Sequence, residues 1–427
     1  MGVLIDLLYL LFAVVSSPIW LVRMIRTGKI RTDWAGRFGR TGPMPAPGRP
    51  RVLLHGVSVG EVNALRKLVD ALSGPTTDAQ IVVSATTNTG FERARSLFAG
   101  QHDVVRYPLD FSFAVNRFLK TVQPDLVVLA ELEVWPNFLR AAARRKIGVC
   151  VVNGRLTARS ARAYRLAGPL LKPFFRRLSF VAAQNEAYAG RFGEMGVPAD
   201  RTFITGTMKW DTAEIADEVP GAHELAEAMG IDRTRPLVVA GSTAPGEHEL
   251  LVGAVGDGVQ LLCAPRRPEW FDQAAAAMPG CARRSRGDCG SDTGRFLLDT
   301  IGELRQAYAL ADVAVVGRSF GTLHGSDMME PVALGAAVVT GEAVLDFQDT
   351  VDALLAGDGL VQTDRDHLPG VLAELLADSD RRRQLGVNGR AILRTRQGAT
   401  RRNTELIAKL LEEIPRASCN RRGGERG

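Results

Sequence analysis

Aromatic residues make up only 6% of this 427-residue chain. No nucleic-acid-binding module accompanies them, so base stacking cannot organise a binding surface and nucleic acid is not expected as a partner. Cysteine is scarce as well. Cys150, Cys263, Cys281, Cys289 and Cys419 follow no metal-ligand spacing and form no disulfide framework, which favours a reducing compartment, with Cys150 and Cys263 as core thiols. The chain has no G-x-G-x-x-G fingerprint, so a dinucleotide enzyme is poorly supported. It does have 46% hydrophobic residues and 44 glycines, the make-up of a globular α/β protein rich in tight loops. The length suits two ordinary domains plus an appendage. The net charge of +6 is unevenly spread, crowding Arg23–Arg40, Arg140–Arg177, Arg266–Arg286 and the tail from Arg416. Such patches suit an acidic membrane surface or an anionic substrate.

Residues Val3–Val22 are almost continuously apolar, interrupted by Asp6, Ser16, Ser17 and Pro18. That is close to the roughly 20 residues a spanning helix needs. No basic stretch precedes the run and no clean cleavage site follows it, which disfavours a signal peptide. Asp6 stands where myristoylation wants Ser or Thr. Arg23, Arg26, Lys29 and Arg31 follow, and by the positive-inside rule they keep the body of the protein in the cytoplasm. A helix lying in the interface is the alternative. Both readings put the protein at a membrane.

From Pro47 the pattern is strand, loop, helix, repeated. Apolar runs predict strands at Arg51–Leu54, Ile81–Ser84, Asp103–Arg106, Leu126–Ala130, Val149–Val152 and Phe180–Ala183. A second series falls at Leu237–Ala240, Val259–Ala264, Phe296–Leu298, Val313–Val316 and Ala337–Thr340. Helical stretches between them argue for two doubly wound parallel sheets, and hence for a ligand cleft between two Rossmann-like halves. The expected divisions are an anchor and basic segment over 1–40, a first domain over 47–210, a second over 211–414 and a disordered basic tail over 415–427.

The chemistry-bearing residues cluster at strand ends, where open α/β sheets bind ligands. Arg51–Asn63 reads as strand, Gly-bearing loop and helix start, with Glu61 at the helix N-terminus. There it either stabilises the helix dipole or serves as a general base. After Leu126–Ala130, Glu131 and Glu133 leave a strand end together, beside Trp135, Pro136 and Asn137. Like charges that close raise at least one pKa unless a cation or donor offsets them. Asn153-Gly-Arg155, with Arg159, Arg162 and Arg165 beyond it, fits carboxylate or phosphate recognition or else a solvated helix face. In the second half, Gly241-Ser242-Thr243 precedes Glu247 and could set backbone N–H groups around an anion. Arg266 offers a cation after the next strand. Gly317-Arg318-Ser319-Phe320 and Gly325–Pro331 close the series, and Glu330 could accept two ribose hydroxyls.

Taken in order, these stretches resemble the 3-deoxy-D-manno-octulosonic acid (Kdo) transferases of lipid A biosynthesis. The resemblance runs from the N-terminal segment to about Leu354. Its carriers include His55-Gly-Val-Ser58-Val-Gly60-Glu61, Pro108-Leu-Asp110, Glu131–Asn137, Asn153-Gly-Arg155 and Thr205–Asp211. Ala240–Thr243, Pro265-Arg266, Asp299-Thr-Ile-Gly302-Glu303-Leu304 and Glu330-Pro331 continue the set. The resemblance implies a GT-B fold, two Rossmann-like doubly wound domains facing a cleft, with an N-terminal membrane-anchoring helix. It implies an inverting, metal-independent transfer of Kdo from CMP-Kdo to the lipid A precursor lipid IVA, in lipopolysaccharide core biosynthesis. The site would be the cytoplasmic face of the inner membrane, at the lipid surface, with no cofactor. Glu61 would be the catalytic base, with a second essential carboxylate at Glu131 or Glu133. Donor contacts would fall at Gly241, Ser242, Thr243, Arg266, Gly302, Glu303, Ser319, Asp327 and Glu330. Acceptor contacts would fall at His55, Ser58, Gly60, Asn153, Arg155 and Lys209.

The chain departs from the family pattern at one motif, and Leu250–Val259 is short for the helix expected there. His324, Gly325, Ser326 and Asp327 stand where the family usually has Gly-Gly-His-Asn. An Asp there repels a phosphate unless its side chain turns away. Two rivals stay open: a GT-B transferase using another nucleotide sugar on a lipid, and a non-catalytic, membrane-tethered sugar-nucleotide-binding protein.

Overall fold

Arg51–Gly56 (β1) is buried along its whole length, and a seven-stranded parallel sheet is built around it in the computed structural model. The structure describes residues 2–26, 32–45, 47–74, 77–166 and 168–413. The other strands of the first sheet are Gln80–Ala85 (β2), Asp103–Arg106 (β3), Leu126–Ala130 (β4), Gly148–Gly154 (β5), Val181–Ala183 (β6) and Thr202–Ile204 (β7). Their order is β3-β2-β1-β4-β5-β6-β7. Side chains alternate between two cores: Leu53, Val127 and Leu129 join the cluster on one face, and Val52, Leu54, Leu126 and Val128 the cluster on the other. Burial on both faces explains why these strands read as unbroken apolar runs.

The second sheet repeats the plan. Leu237–Thr243 (β8), Gln260–Pro265 (β9), Ala282–Arg283 (β10), Arg295–Leu297 (β11), Val313–Val316 (β12), Ala337–Thr340 (β13) and Val361–Gln362 (β14) line up as β10-β11-β9-β8-β12-β13-β14. Every pairing in both sheets is parallel. Each sheet has one topological switch point, where the chain winds off in opposite directions: between β1 and β4 in the first, and between β8 and β12 in the second. Strands β7, β10 and β14 are additions to the pattern predicted from sequence. They are two- or three-residue edge strands, too short to leave a periodic signal.

The chain divides into two units, and the division differs from the expected 211–414 domain. The second unit is Ala213–Arg396, and Gln397 onward belongs with the first. Helix Ala399–Glu412 packs Ile407 and Leu411 into the first sheet's core, and Arg402 donates to the carbonyl of Thr205 at 2.7 and 2.9 Å. Asp211 receives the N–H of Gly398 at 2.7 Å. An apolar helix face is visible in sequence, but the sheet that covers it is not.

The N-terminal apolar run is one helix, Gly2–Arg26, with Pro18 inside it. A polar clamp ties it to the first unit. Asp6 accepts from the Ser112 N–H and from Asn137 Nδ2, both at 2.9 Å, and from the Ser112 hydroxyl. Tyr9 donates to Asp110 at 2.9 Å. Leu7, Leu8, Leu10, Leu11, Val14 and Val15 remain exposed. Among the described residues no helix is long and apolar enough to cross a membrane. Lys29, Arg31, Cys419 and the basic tail expected over 415–427 lie outside the described residues.

Candidate active site

The first switch point gathers carboxylates. Helix Val59–Ser73 begins just after β1, with Ser58 as its N-cap. One Glu61 carboxylate oxygen accepts the Val57 N–H at 2.8 Å and the other accepts the Ser58 hydroxyl at 3.0 Å. This reach of an N3 glutamate back to the start of its own helix resembles a capping box, and it fixes the carboxylate in one orientation. The structural and the catalytic readings of Glu61 are therefore compatible: the cap is what aims the group.

Glu131 is the first residue after β4 and has φ of 59°, the left-handed region that a β-carbon disfavours. Such strain persists only where surrounding structure enforces it, and it gathers at functional sites. Here the Glu131 N–H is held by the Val152 carbonyl at 3.0 Å. Burial raises the Glu131 pKa and the charge of Glu61 adds to the rise, while Arg155 and Lys209 oppose it. Glu133 is pushed up to about 7 by burial, with Glu61 and Glu131 adding and the 2.6 Å hydrogen bond from the Trp135 indole N–H opposing. The site thus unites Glu61, Glu131, Glu133, Arg155 and Lys209: three acids, with two cations close enough to act on Glu131.

Other expected acceptor residues serve this group indirectly, and two expectations are corrected. His55 is fully buried, stacks on Tyr107 with ring centroids 3.7 Å apart, and places Nδ1 3.0 Å from the Ser84 hydroxyl. Burial pushes its pKa down to about 3, so it is a neutral packing group beneath the loop rather than an acceptor contact. Asn153 is buried at 2% exposure and accepts the Met208 N–H at 3.1 Å, so it shapes the turn that carries Lys209. Ser58 is occupied by the cap. Gly60 is exposed, and a Cβ there would meet only the Ser58 hydroxyl, at 3.8 Å.

The second switch point holds a different arrangement from the one the sequence suggests. The loop N–H groups after β8 and β12 do surround an anion, but the anion is Glu247. Its carboxylate, on a residue 3% exposed, accepts from Ala244 and Arg318 at 2.8 Å and from Phe320 at 3.1 Å. Ser242, near the end of β8, and Arg318, after β12, have φ of 56° and 61°. Thr243 is likewise internal, 2.9 Å from His248 Nε2. A Cβ at Gly241 would run into the Tyr308 hydroxyl, so this glycine is a packing requirement. Ser319 is 1% exposed and spends its hydroxyl on the Val316 carbonyl and the Gly341 N–H. Thr243 and Ser319 are therefore corrected from ligand contacts to framework.

The remaining donor candidates are open to solvent or only part-buried. Arg266 is exposed, its N–H held by the Thr243 carbonyl at 2.9 Å, and its guanidinium has no acidic partner among the described residues. Glu330 is partly buried, 4.0 Å from Arg305, and burial raises its pKa with Asp327 adding. Asp327 turns its carboxylate to the Met329 N–H at 2.9 Å, just before the short helix Met329–Ala333. Glu303 is engaged by Arg284 at 2.8 Å, which holds its pKa down. Gly302, at φ of 104°, makes the turn before it. Glu247 and the Arg284–Glu303 pair were missed as structural elements. A Glu four residues after a strand end was the available signal for the first; the second carries none.

Two parallel Rossmann-like sheets with switch-point sites define the GT-B class of α/β proteins. Solved structures agree on the fold. A UDP-N-acetylglucosamine 2-epimerase from Listeria monocytogenes, described as putative, aligns over 86% of this chain and 98% of its own at TM-score 0.54 and 13% identity. Acinetobacter baumannii MurG aligns over 84% and 99% at TM-score 0.52 and 16% identity. The family model described as 3-deoxy-D-manno-octulosonic-acid transferase (kdotransferase) matches residues 32–212. The Bordetella pertussis 3-deoxy-D-manno-octulosonic acid transferase is 33% identical over 91% of this chain and 95% of its own. The Haemophilus influenzae enzyme of the same description is 30% identical over 91% and 93%. The chain belongs to the 3-deoxy-D-manno-octulosonic acid transferase family, and is a glycosyltransferase.

Proposed function

We propose that the protein transfers Kdo from CMP-Kdo to lipid IVA with inversion and without a metal, at the cytoplasmic face of the inner membrane. The observation that carries the reading is the fixed Glu61 carboxylate at the first switch point, beside two acids of raised pKa. An acceptor sugar hydroxyl is a weak nucleophile, and a positioned carboxylate takes its proton as the new C–O bond forms. The bond from the anomeric carbon to the CMP phosphate breaks as that bond forms, and charge builds on both the ring and the leaving phosphate. Glu133, near neutrality in pKa, can donate a hydrogen bond to an acceptor oxygen while Glu61 accepts one. Arg266 meets the phosphate with its exposed guanidinium, and Glu330 takes the ribose hydroxyls. Arg155 and Lys209 suit an anionic acceptor. The exposed leucine and valine face of helix Gly2–Arg26 suits a helix lying in the lipid interface.

Incubation with lipid IVA and freshly generated CMP-Kdo, read by mass spectrometry of the lipid, tests the proposal. Addition of one or more Kdo residues is expected. CMP binding without any product would instead support a non-catalytic binder, and product only with another nucleotide sugar would change the donor.

A further inference from the structure

Residues 32–37, beyond the N-terminal helix, are bonded to the loop that follows β2. Thr32 donates its hydroxyl to Asn88 Oδ1 at 2.9 Å. Arg37 donates through Nε to the Thr32 hydroxyl at 3.1 Å and through Nη2 to the Thr86 carbonyl at 3.2 Å. Arg106, 6% exposed and stacked over Phe91 at 4.1 Å, donates to the carbonyls of both Thr86 and Thr87. Two guanidiniums therefore grip one loop, from the segment side and from β3.

That loop touches the residue that orients Glu61. Thr87 donates its N–H at 3.0 Å and its hydroxyl at 2.8 Å to the carbonyl of Val57. The N–H of the same Val57 is donated to Glu61 Oε2 at 2.8 Å. The approach leaves no slack, since a Cβ at Gly90 would stand 2.9 Å from the Val57 oxygen. A Cβ at Gly36 would stand 2.8 Å from Arg106 Cβ, so the segment side is equally close. A continuous series of bonds runs Arg37, Thr86–Thr87, Val57, Glu61.

We propose that Arg37 is a positioning residue for the transfer: it fixes the Thr86–Thr87 loop, which fixes Val57, which aims the Glu61 carboxylate. The inference rests on the reading of Glu61 as the base. It makes the stretch between the N-terminal helix and the catalytic unit part of the catalytic geometry rather than a passive tether. A misplacement of about 1 Å can cost on the order of 10²-fold in rate.

The test is a double-variant cycle in the full chain with detergent-dispersed acceptor: wild type, Arg37→Ala, Glu61→Gln and the pair, with Arg37→Lys alongside. Arg37→Ala is expected to lower kcat by roughly tenfold, with both KM values within about twofold. In the Glu61→Gln background the same substitution is expected to cost little more, because the group it positions is already gone. Arg37→Lys, which reaches the Thr86 carbonyl with a single donor, is expected to recover part of the rate. Equal losses in both backgrounds would overturn the relay while leaving the Glu61 reading intact. A Glu61→Gln variant that keeps more than about a tenth of the wild-type kcat would instead overturn the reading of the base. If Arg37→Ala does not fold, Thr32→Val replaces it; it removes the Asn88 bond and the Arg37 acceptor, and the same absence of additivity is expected. A Thr32→Val loss that is equal in both backgrounds would overturn the proposal.

Discussion

The carboxylate of Glu247 accepts the backbone N–H of Arg318 at 2.8 Å, a bond across 71 residues of chain that joins the loop after β8 to the loop after β12. With Ala244 and Phe320 also bound, one buried side chain closes the second switch point. Removing it strands three loop donors, and each buried donor left unsatisfied costs about 1–3 kcal/mol. Glu247→Ala is therefore expected to lower the stability of the Ala213–Arg396 unit and to weaken CMP binding through disorder of both loops. Glu247→Gln retains one acceptor oxygen and is expected to lose less. Urea denaturation and calorimetric titration with CMP check this; an Ala variant as stable as wild type would remove Glu247 from the framework.

Glu133 gives the protein a pH dependence of stability. Its folded pKa, about 7, lies above the ordinary 4.5, so the fold favours the neutral acid. The stabilisation is complete below the unfolded pKa near 4.5 and is lost as pH rises through about 7. Glu133→Gln, always neutral and still able to accept from Trp135, is expected to flatten the profile across that window and to raise Tm relative to wild type above it. Each kcal/mol corresponds to about 2–4 °C for a unit of this size. Thermal melts from pH 4 to 8 decide the matter, and parallel profiles for the two proteins would contradict it.

Arg266 carries the phosphate reading. A hydrogen bond to a charged group contributes about 1.5–3 kcal/mol, and about 1.4 kcal/mol is tenfold in affinity. Arg266→Ala is thus expected to weaken CMP binding roughly tenfold or more, with acceptor affinity nearly unchanged. Unaltered CMP affinity in calorimetry would move the phosphate site to another cation.

How far the sequence could be read depended on whether a residue's partner was local. Strands β3, β4, β12 and β13 fall at the predicted residues, because buried parallel strands announce themselves as short apolar runs. The placement of Glu61 at a helix start and of Glu131 at a strand end was legible for the same reason. What was not legible depends on contacts distant in sequence. His55 and Asn153 look polar and available, yet both are buried, His55 stacked on Tyr107 and Asn153 accepting the Met208 N–H. The anion for the loops around Gly241 and Gly317 proved to be Glu247, which the sequence shows but whose direction it cannot show. Helix Ala399–Glu412 carries an apolar face that fits either sheet equally well until the chain is folded. The grip of Arg37 on Thr86 leaves no periodic trace at all.

Glu61→Gln turnover is the most direct measurement of the proposed mechanism. The substitution keeps the side-chain shape and one oxygen that can still accept from Val57 or Ser58, gives up the second of these acceptor bonds, and removes the ability to take a proton. Loss of a general base typically costs about 10² to 10⁴ in rate. Turnover of lipid IVA is expected to fall by that order, with CMP affinity and Tm close to wild type. A variant that retains more than about a tenth of the wild-type rate would contradict the assignment. Glu61 would then be only the cap of its helix, and the base would have to be Glu131 or Glu133.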